Sequence, residues 1–141
     1  MDLLDIKMLN TAVEAELNRR LAPWGLTFTQ ATALRLLSAS PSTQDALTQH
    51  ELETCMGLSR PTVNTVLRGM AAKDLVTVEI DPVDRRKKRI HLTAAGAAMQ
   101  EAVSGVVTQL RDQAVSGLTP DEVASIHALM ARMRDNITAV R

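Results

Sequence analysis

Apolar residues recur at intervals of three and four along nearly the whole chain. Between Leu75 and Leu92 the pattern changes, and the interval shortens to about two. Spacing of three and four is the signature of amphipathic helices, and a period of two with β-branched residues is that of strands. The chain is therefore expected to be mainly α, with a small two- or three-stranded β-wing set into it. Trp24 and Phe28 are the only aromatics of the 141 residues, so the core must be aliphatic. Hydrophobic residues at 45% and charged residues at 23% lie near globular averages, which makes a packed core attainable and disorder unexpected. The length fits one domain, or a core with a helical extension. A single cysteine, Cys55, excludes an intrachain disulfide and with it a stapled secreted domain. No apolar run reaches the ~18 residues of a membrane span, and Asp2, Asp5, Lys7 and Glu14 interrupt the N-terminus where a signal peptide would be apolar. The expected compartment is the cytoplasm, with no membrane partner.

Leu3–Leu21 reads as a helix carrying Ile6, Leu9, Val13, Leu17 and Leu21 on one stripe, broken by Pro23 and Gly25. Thr29 is the expected cap of a second helix reaching Ala39, and Ser38–Asp45, with Pro41, reads as a loop. Thr48 and Glu51 form a capping box opening a short helix that stops at Gly57, and Ser59 caps the next, which runs to Lys73-Asp74. Leu75–Ile80 and Arg89–Leu92 are expected strands around an Asp81–Asp84 turn. Thr93 opens a long helix to about Gly117. Thr119-Pro120-Asp121-Glu122 is a second capping box, and behind it Val123, Ile126, Met130, Met133, Ile137 and Val140 form a heptad seam.

Thr48–Lys73 has the form of a helix-turn-helix: a short helix, a Gly-containing turn and a second polar helix. Val63, Val66, Leu67 and Met70 supply a packed face. Ser59, Arg60, Thr62, Asn64, Thr65 and Arg68 supply a polar face able to meet phosphates and base edges in a major groove. Directly after it, Asp84 is followed by five consecutive cations, Arg85, Arg86, Lys87, Lys88 and Arg89, expected at a hairpin tip where they cannot neutralise one another. Sixteen basic and sixteen acidic residues cancel over the whole chain, which at first argues against a nucleic-acid partner. Resolved along the sequence, Gly57–His91 holds eight basic residues and four acids, a net of +4, and the remainder carries −4. Charge favourable to phosphates is thus concentrated in one segment.

Over nearly its whole length the sequence resembles the MarR family of bacterial winged helix-turn-helix transcriptional regulators. The residues that carry the resemblance are Leu52 and Gly57-Leu58-Ser59, Thr62-Val63 and Leu67, Leu75-Val76, Asp81-Pro82, Asp84-Arg85-Arg86, and Leu92-Thr93 with Gly96. Two positions depart from the pattern. Glu53 stands where a small residue usually faces the recognition helix, so it must either rotate outward or alter the packing of the two helices. Asp74 stands where Gly often precedes the first strand, so the turn there calls for a left-handed Asp.

The resemblance implies a homodimeric, sequence-specific regulator of transcription, a repressor, whose partner is a double-stranded, pseudo-palindromic DNA operator. It implies that residues 28–93 form the DNA-binding domain, and residues 1–27 and 94–141 a helical dimerisation region with long terminal helices. The polar face of the second helix would enter the major groove. Arg86, held by Asp84, would reach the adjoining minor groove, and Arg85, Lys87 and Lys88 would complete the wing. Leu9 and Val13, with the seam Val123, Ile126, Met130, Met133, Ile137 and Val140, would dimerise. Family members often bind a small aromatic or carboxylate effector, and on that pattern Met8, Arg19 and Trp24 are candidates for meeting one and releasing DNA.

Three other readings are weaker. No catalytic spacing is present, since His50, His91 and His127 are scattered, and no enzyme, cofactor or metal site is expected. Oxidant sensing would rest on Cys55 alone, and a lone helical Cys is more often a small buried hydrophobe than a reactive thiol. A winged-helix module that binds protein without an operator has the five-cation wing against it.

Overall fold

The computed structural model describes residues 1–39 and 46–140. Apart from Ser38 and Ala39, the loop expected over Ser38–Asp45 lies outside the described residues. The elements run α1 (Leu3–Leu21), a 3₁₀ turn (Ala22–Trp24), α2 (Phe28–Ser38), α3 (Gln49–Met56), α4 (Arg60–Ala72), β1 (Val76–Ile80), β2 (Lys88–Leu92), α5 (Ala94–Ala114) and α6 (Pro120–Thr138). The chain divides into two compact units, Met1–Val107 and Thr108–Arg141.

Local chemistry starts and stops these helices. Thr48 accepts from the Glu51 amide at 3.1 Å while Glu51 accepts from the Thr48 amide at 3.2 Å, and Thr119 with Glu122 repeats the box. At the start of α2 the cap is Thr27, where Thr29 was expected. Thr27 is extended and exchanges hydrogen bonds with Gln30, which places Thr29 inside the first turn. The capping partner must sit three residues on, and only Thr27 has a Gln there. α3 ends on Gly57 at φ 65, a left-handed conformation that costs a glycine nothing. Asp74 takes φ 59 between α4 and β1, the left-handed Asp that this turn required.

The two strands pair antiparallel, with Val76 opposite Leu92 and Ile80 opposite Lys88. Thr48 adds a bridge to Arg89, so among the described residues the sheet has two strands and one outlying contact. The second strand begins at Lys88, one residue earlier than expected, so Lys88 joins Arg89 in the ladder and neither lies at the tip. α5 stops at Ala114, before Gly117, and opens beside β1. A Cβ on Gly96 would lie 2.1 Å from the Leu75 carbonyl oxygen, so only glycine lets the backbones meet. Thr93 bridges the same junction, donating to the Asp74 carbonyl at 2.6 Å and accepting from the Gly96 amide at 2.9 Å.

Within the first unit α2, α3 and α4 pack mutually, α1 packs on α2, and the sheet closes the layer through α4·β1 and α3·β2. Leu21, Leu34, Leu52, Val63, Met70 and Ile90 are completely or almost completely buried there. All are aliphatic, as the near-absence of aromatics demanded. Val66, expected on the packed face of α4, is only half-buried. In α6, Val123 and Met133 are half-buried, whereas Ile126, Leu129, Met130, Ile137 and Val140 are exposed.

Candidate nucleic-acid interface

α4 presents its polar side because Val63, Leu67 and Met70 turn the opposite side into the core. Ser59 is the cap; its hydroxyl accepts from the Thr62 amide at 3.4 Å and lies 2.9 Å from the Thr62 hydroxyl. The Thr65 hydroxyl donates back to the Pro61 carbonyl at 3.1 Å. Arg60, Thr62, Thr65 and Arg68 are exposed and Asn64 is half-buried. Asn64 Oδ1 accepts a hydrogen bond from Gln49 Nε2 on α3.

Glu53 does not rotate outward. Its side chain is 12% exposed, with its carboxylate 3.9 Å from Arg60 Nε and 3.8 Å from His50 Nδ1. The helices accommodate an acid where a small residue was expected by giving it a cation at the first position of α4. Cys55, by contrast, is exposed, so the expectation of a small buried hydrophobe is overturned. On an eight-residue helix with Leu52 as its buried contact, Cys55 falls on the outward side.

The wing is built by two aspartates with different tasks. Asp81 accepts from the Val83 amide at 2.8 Å and the Asp84 amide at 3.0 Å, which closes the turn. It also accepts from Arg89 Nε at 3.0 Å, and Arg89 reaches on to the Ala46 carbonyl at 2.9 Å. Those amides first, then Arg89, hold the Asp81 carboxyl below the usual carboxylate range. Asp84 accepts from the Arg86 amide and Nε, both at 3.1 Å, and from its Nη2 at 3.3 Å. That guanidinium first, then the Arg86 amide, lowers the Asp84 pKa, and Asp84 in turn raises that of Arg86.

The expectation of five mutually repelling cations at the tip is therefore corrected. Arg89 is turned inward as a strut, and Arg86 is paired. Arg85, Lys87 and Lys88 are exposed and have no ion-pair partner among the described residues. Register explains Arg89: it stands opposite Glu79 in the ladder and beside the Thr48 bridge, within reach of both the turn and the entrance to α3.

These pieces converge. A cleft of about 400 Å³ lies between the start of α3, the start of α4 and the wing. Arg60, Asn64, Arg86, Lys87 and Lys88 line it, together with Gln49, His50 and Glu53. Arg68, four residues before the end of α4, and Arg85 are not among the lining residues. Four cations against two lining acids, Glu51 and Glu53, leave the concavity net positive, which suits a polyanion that follows its wall.

The other expected sites stand apart from it. Leu9 on α1 is exposed and Val13 half-buried, and Leu3, Leu4, Ile6 and Met8 are exposed on the same helix. Arg19 donates to Glu16 through Nη2 at 2.5 Å and Nε at 3.1 Å, with Arg20 joining at 2.8 Å. Hydrogen bonds from Arg19 and then Arg20 bring the Glu16 pKa down to about 2. Arg19 thus already holds a carboxylate from its own helix. Met8 and Arg19, eleven residues apart on α1, are separated by about 16 Å along its axis. Trp24 sits partly exposed in the 3₁₀ turn. Among the described residues no helix is long and apolar enough to cross a membrane.

Comparison with known proteins places this geometry. Residues 24–87 match the sequence model of the MarR family. The Staphylococcus aureus regulator MepR in its complex with DNA is 26% identical, with 94% of this chain and 93% of that one covered and a TM-score of 0.80. The structure of MarR itself, 20% identical, covers 100% of this chain and 94% of its own with a TM-score of 0.86. The transcriptional regulator SlyA, at 19% identity, covers 99% and 96% and also reaches 0.86. With its helix-turn-helix, its two-stranded wing and its long terminal helices, the chain matches the MarR family model over residues 24–87 and has the winged-helix fold of that family's transcription regulators.

Proposed function

We propose that this chain is a sequence-specific repressor that binds a pseudo-palindromic operator as a homodimer. The observation that carries this reading is the single cleft in which Arg60 and Asn64 of α4 meet Arg86, Lys87 and Lys88 of the wing. The polar side of α4, with Ser59, Thr62, Thr65 and Arg68, enters the major groove. Arg86 reaches the flanking minor groove with its guanidinium presented by Asp84, and Lys87, Lys88 and Arg85 meet phosphates. A twofold dimer would set two such helices about one DNA turn apart. The exposed apolar residues of α1 and α6 supply the surface for that dimer. Residues 28–93 do the reading, and the flanking helices of residues 1–27 and 94–141 do the pairing. The DNA complex of MepR supports the choice of partner.

The test is selection of duplexes from a random pool, followed by a salt series on the winning sequence. An inverted repeat should be enriched, with log affinity falling linearly as log salt rises. Transcription from a promoter carrying that repeat should fall when the chain is added. A pool from which no sequence emerges would overturn the reading.

A further inference from the structure

The side-chain amide of Asn64 does not act alone. Gln49 Nε2, fifteen residues earlier and on the other helix of the motif, donates to Asn64 Oδ1, and both residues are half-buried walls of the cleft. The neighbouring hydroxyls are already engaged locally, Thr65 with the Pro61 carbonyl and Ser59 with Thr62. Asn64 is thus the uncharged side chain of this face whose hydrogen-bonding polarity is set from α3.

A carboxamide is planar, with its oxygen and its NH₂ on opposite sides of the Cβ–Cγ bond. Turning Oδ1 toward Gln49 turns the NH₂ away from α3. An asparagine free to rotate grips adenine through both atoms, accepting from N6 and donating to N7; an asparagine offering donors alone suits guanine, whose major-groove edge presents N7 and O6 as acceptors. We infer that Gln49 is a positioning residue for base reading, which orients Asn64 so that the operator base beneath it is guanine. This rests on the operator binding proposed above.

Wild type, Gln49→Ala and Gln49→Glu are each selected against duplexes with an inverted repeat whose half-sites are randomised. Gln49 opens α3, where an acid is favoured by the positive helix end, so Gln49→Glu keeps the fold. Its carboxylate only accepts, so Asn64 must turn its NH₂ to α3 and offer Oδ1 to the groove. At one symmetric pair of positions the preference should move from guanine to a base with an exocyclic amine, cytosine or adenine, by about fivefold or more. Gln49→Ala should flatten that same pair and leave the other positions unchanged. Preference ratios are the readout, because the added charge lowers affinity for every sequence alike. Retention of the wild-type base at every position by Gln49→Glu, or uniform weakening without any change in preference in both variants, would overturn the inference while leaving operator binding intact. Failure of the wild type to select a repeat would overturn both.

Discussion

The α4–wing face and α6 are both left unfinished by the single chain, in opposite currencies. On the first face the apolar residues are buried and the loose ends are charges: Arg68, Arg85, Lys87 and Lys88 are exposed with no ion-pair partner among the described residues. On α6 the loose ends are apolar, with Ile126, Leu129, Met130 and Ile137 each more than two-fifths exposed. Exposed cations are stable in water, so their clustering signals a polyanionic partner whose grip weakens with salt. Exposed aliphatic side chains in a row are costly in water, so theirs suits a partner surface of like composition, which in the proposed dimer a second copy would supply. On the proposed reading, one chain would carry a salt-sensitive interface and a salt-tolerant one.

Charging the apolar side should break the contrast most severely. Met130→Asp is expected to convert the dimer to a monomer in sedimentation and to weaken operator binding on the order of 100-fold, because the two half-sites then bind independently. A variant that stays dimeric would remove α6 from the interface. On the charged side, Arg86→Ala should weaken the selected operator about ten- to a hundredfold and random duplex far less, whereas Lys87→Ala should weaken both about equally and lower the salt slope by about one. Equal losses in the two variants would deny Arg86 any part in reading sequence.

Arg89→Gln probes a cation that belongs to neither interface. It removes the link from Asp81 to the Ala46 carbonyl, and should lower operator affinity about fivefold with the salt slope unchanged, since no phosphate contact is lost. A slope reduced by one would make Arg89 a phosphate ligand. The smallest effect is expected at Glu16 on α1. Its folded pKa of about 2 lies below the ordinary 4.5, so the stability that it lends is present above 4.5 and is lost as pH falls from 4.5 through 2. Thermal melts between pH 5 and pH 2 should show a steeper loss for wild type than for Glu16→Gln. Parallel curves would show that these exposed pairs add nothing measurable.

Features governed by near neighbours were legible in the sequence. The boxes at Thr48/Glu51 and Thr119/Glu122, the left-handed Gly57 and the left-handed Asp74 are each set within four residues. The Thr27 cap was equally local, and the Gln30 that completes it was the overlooked signal. Arg89 was not legible as a strut. A run of five cations reads alike at every position until the strand register is known, and register sets Arg89 opposite Glu79 and adds Lys88 to the ladder. Glu53 and Cys55 were misjudged or left open because which side of α3 faces α4 depends on how the two helices cross. Leu129 escaped notice beside a heptad seam whose strict spacing omits it, although it is as exposed as Met130.

The sequence by itself determined that this chain is mainly helical, where its helices begin, which segment is the wing and where its positive charge gathers. These follow from periodicity, capping and composition, which act over a few residues and do not wait for the fold. Only the tertiary structure decided which of those charges are spent inside the molecule. It also brought Gln49 to Asn64 and Arg60 to Glu53, and left one side of α6 uncovered. Hydrogen bonds and ion pairs form over about 3 to 4 Å, and chain packing alone decides which side chains distant in sequence come that close.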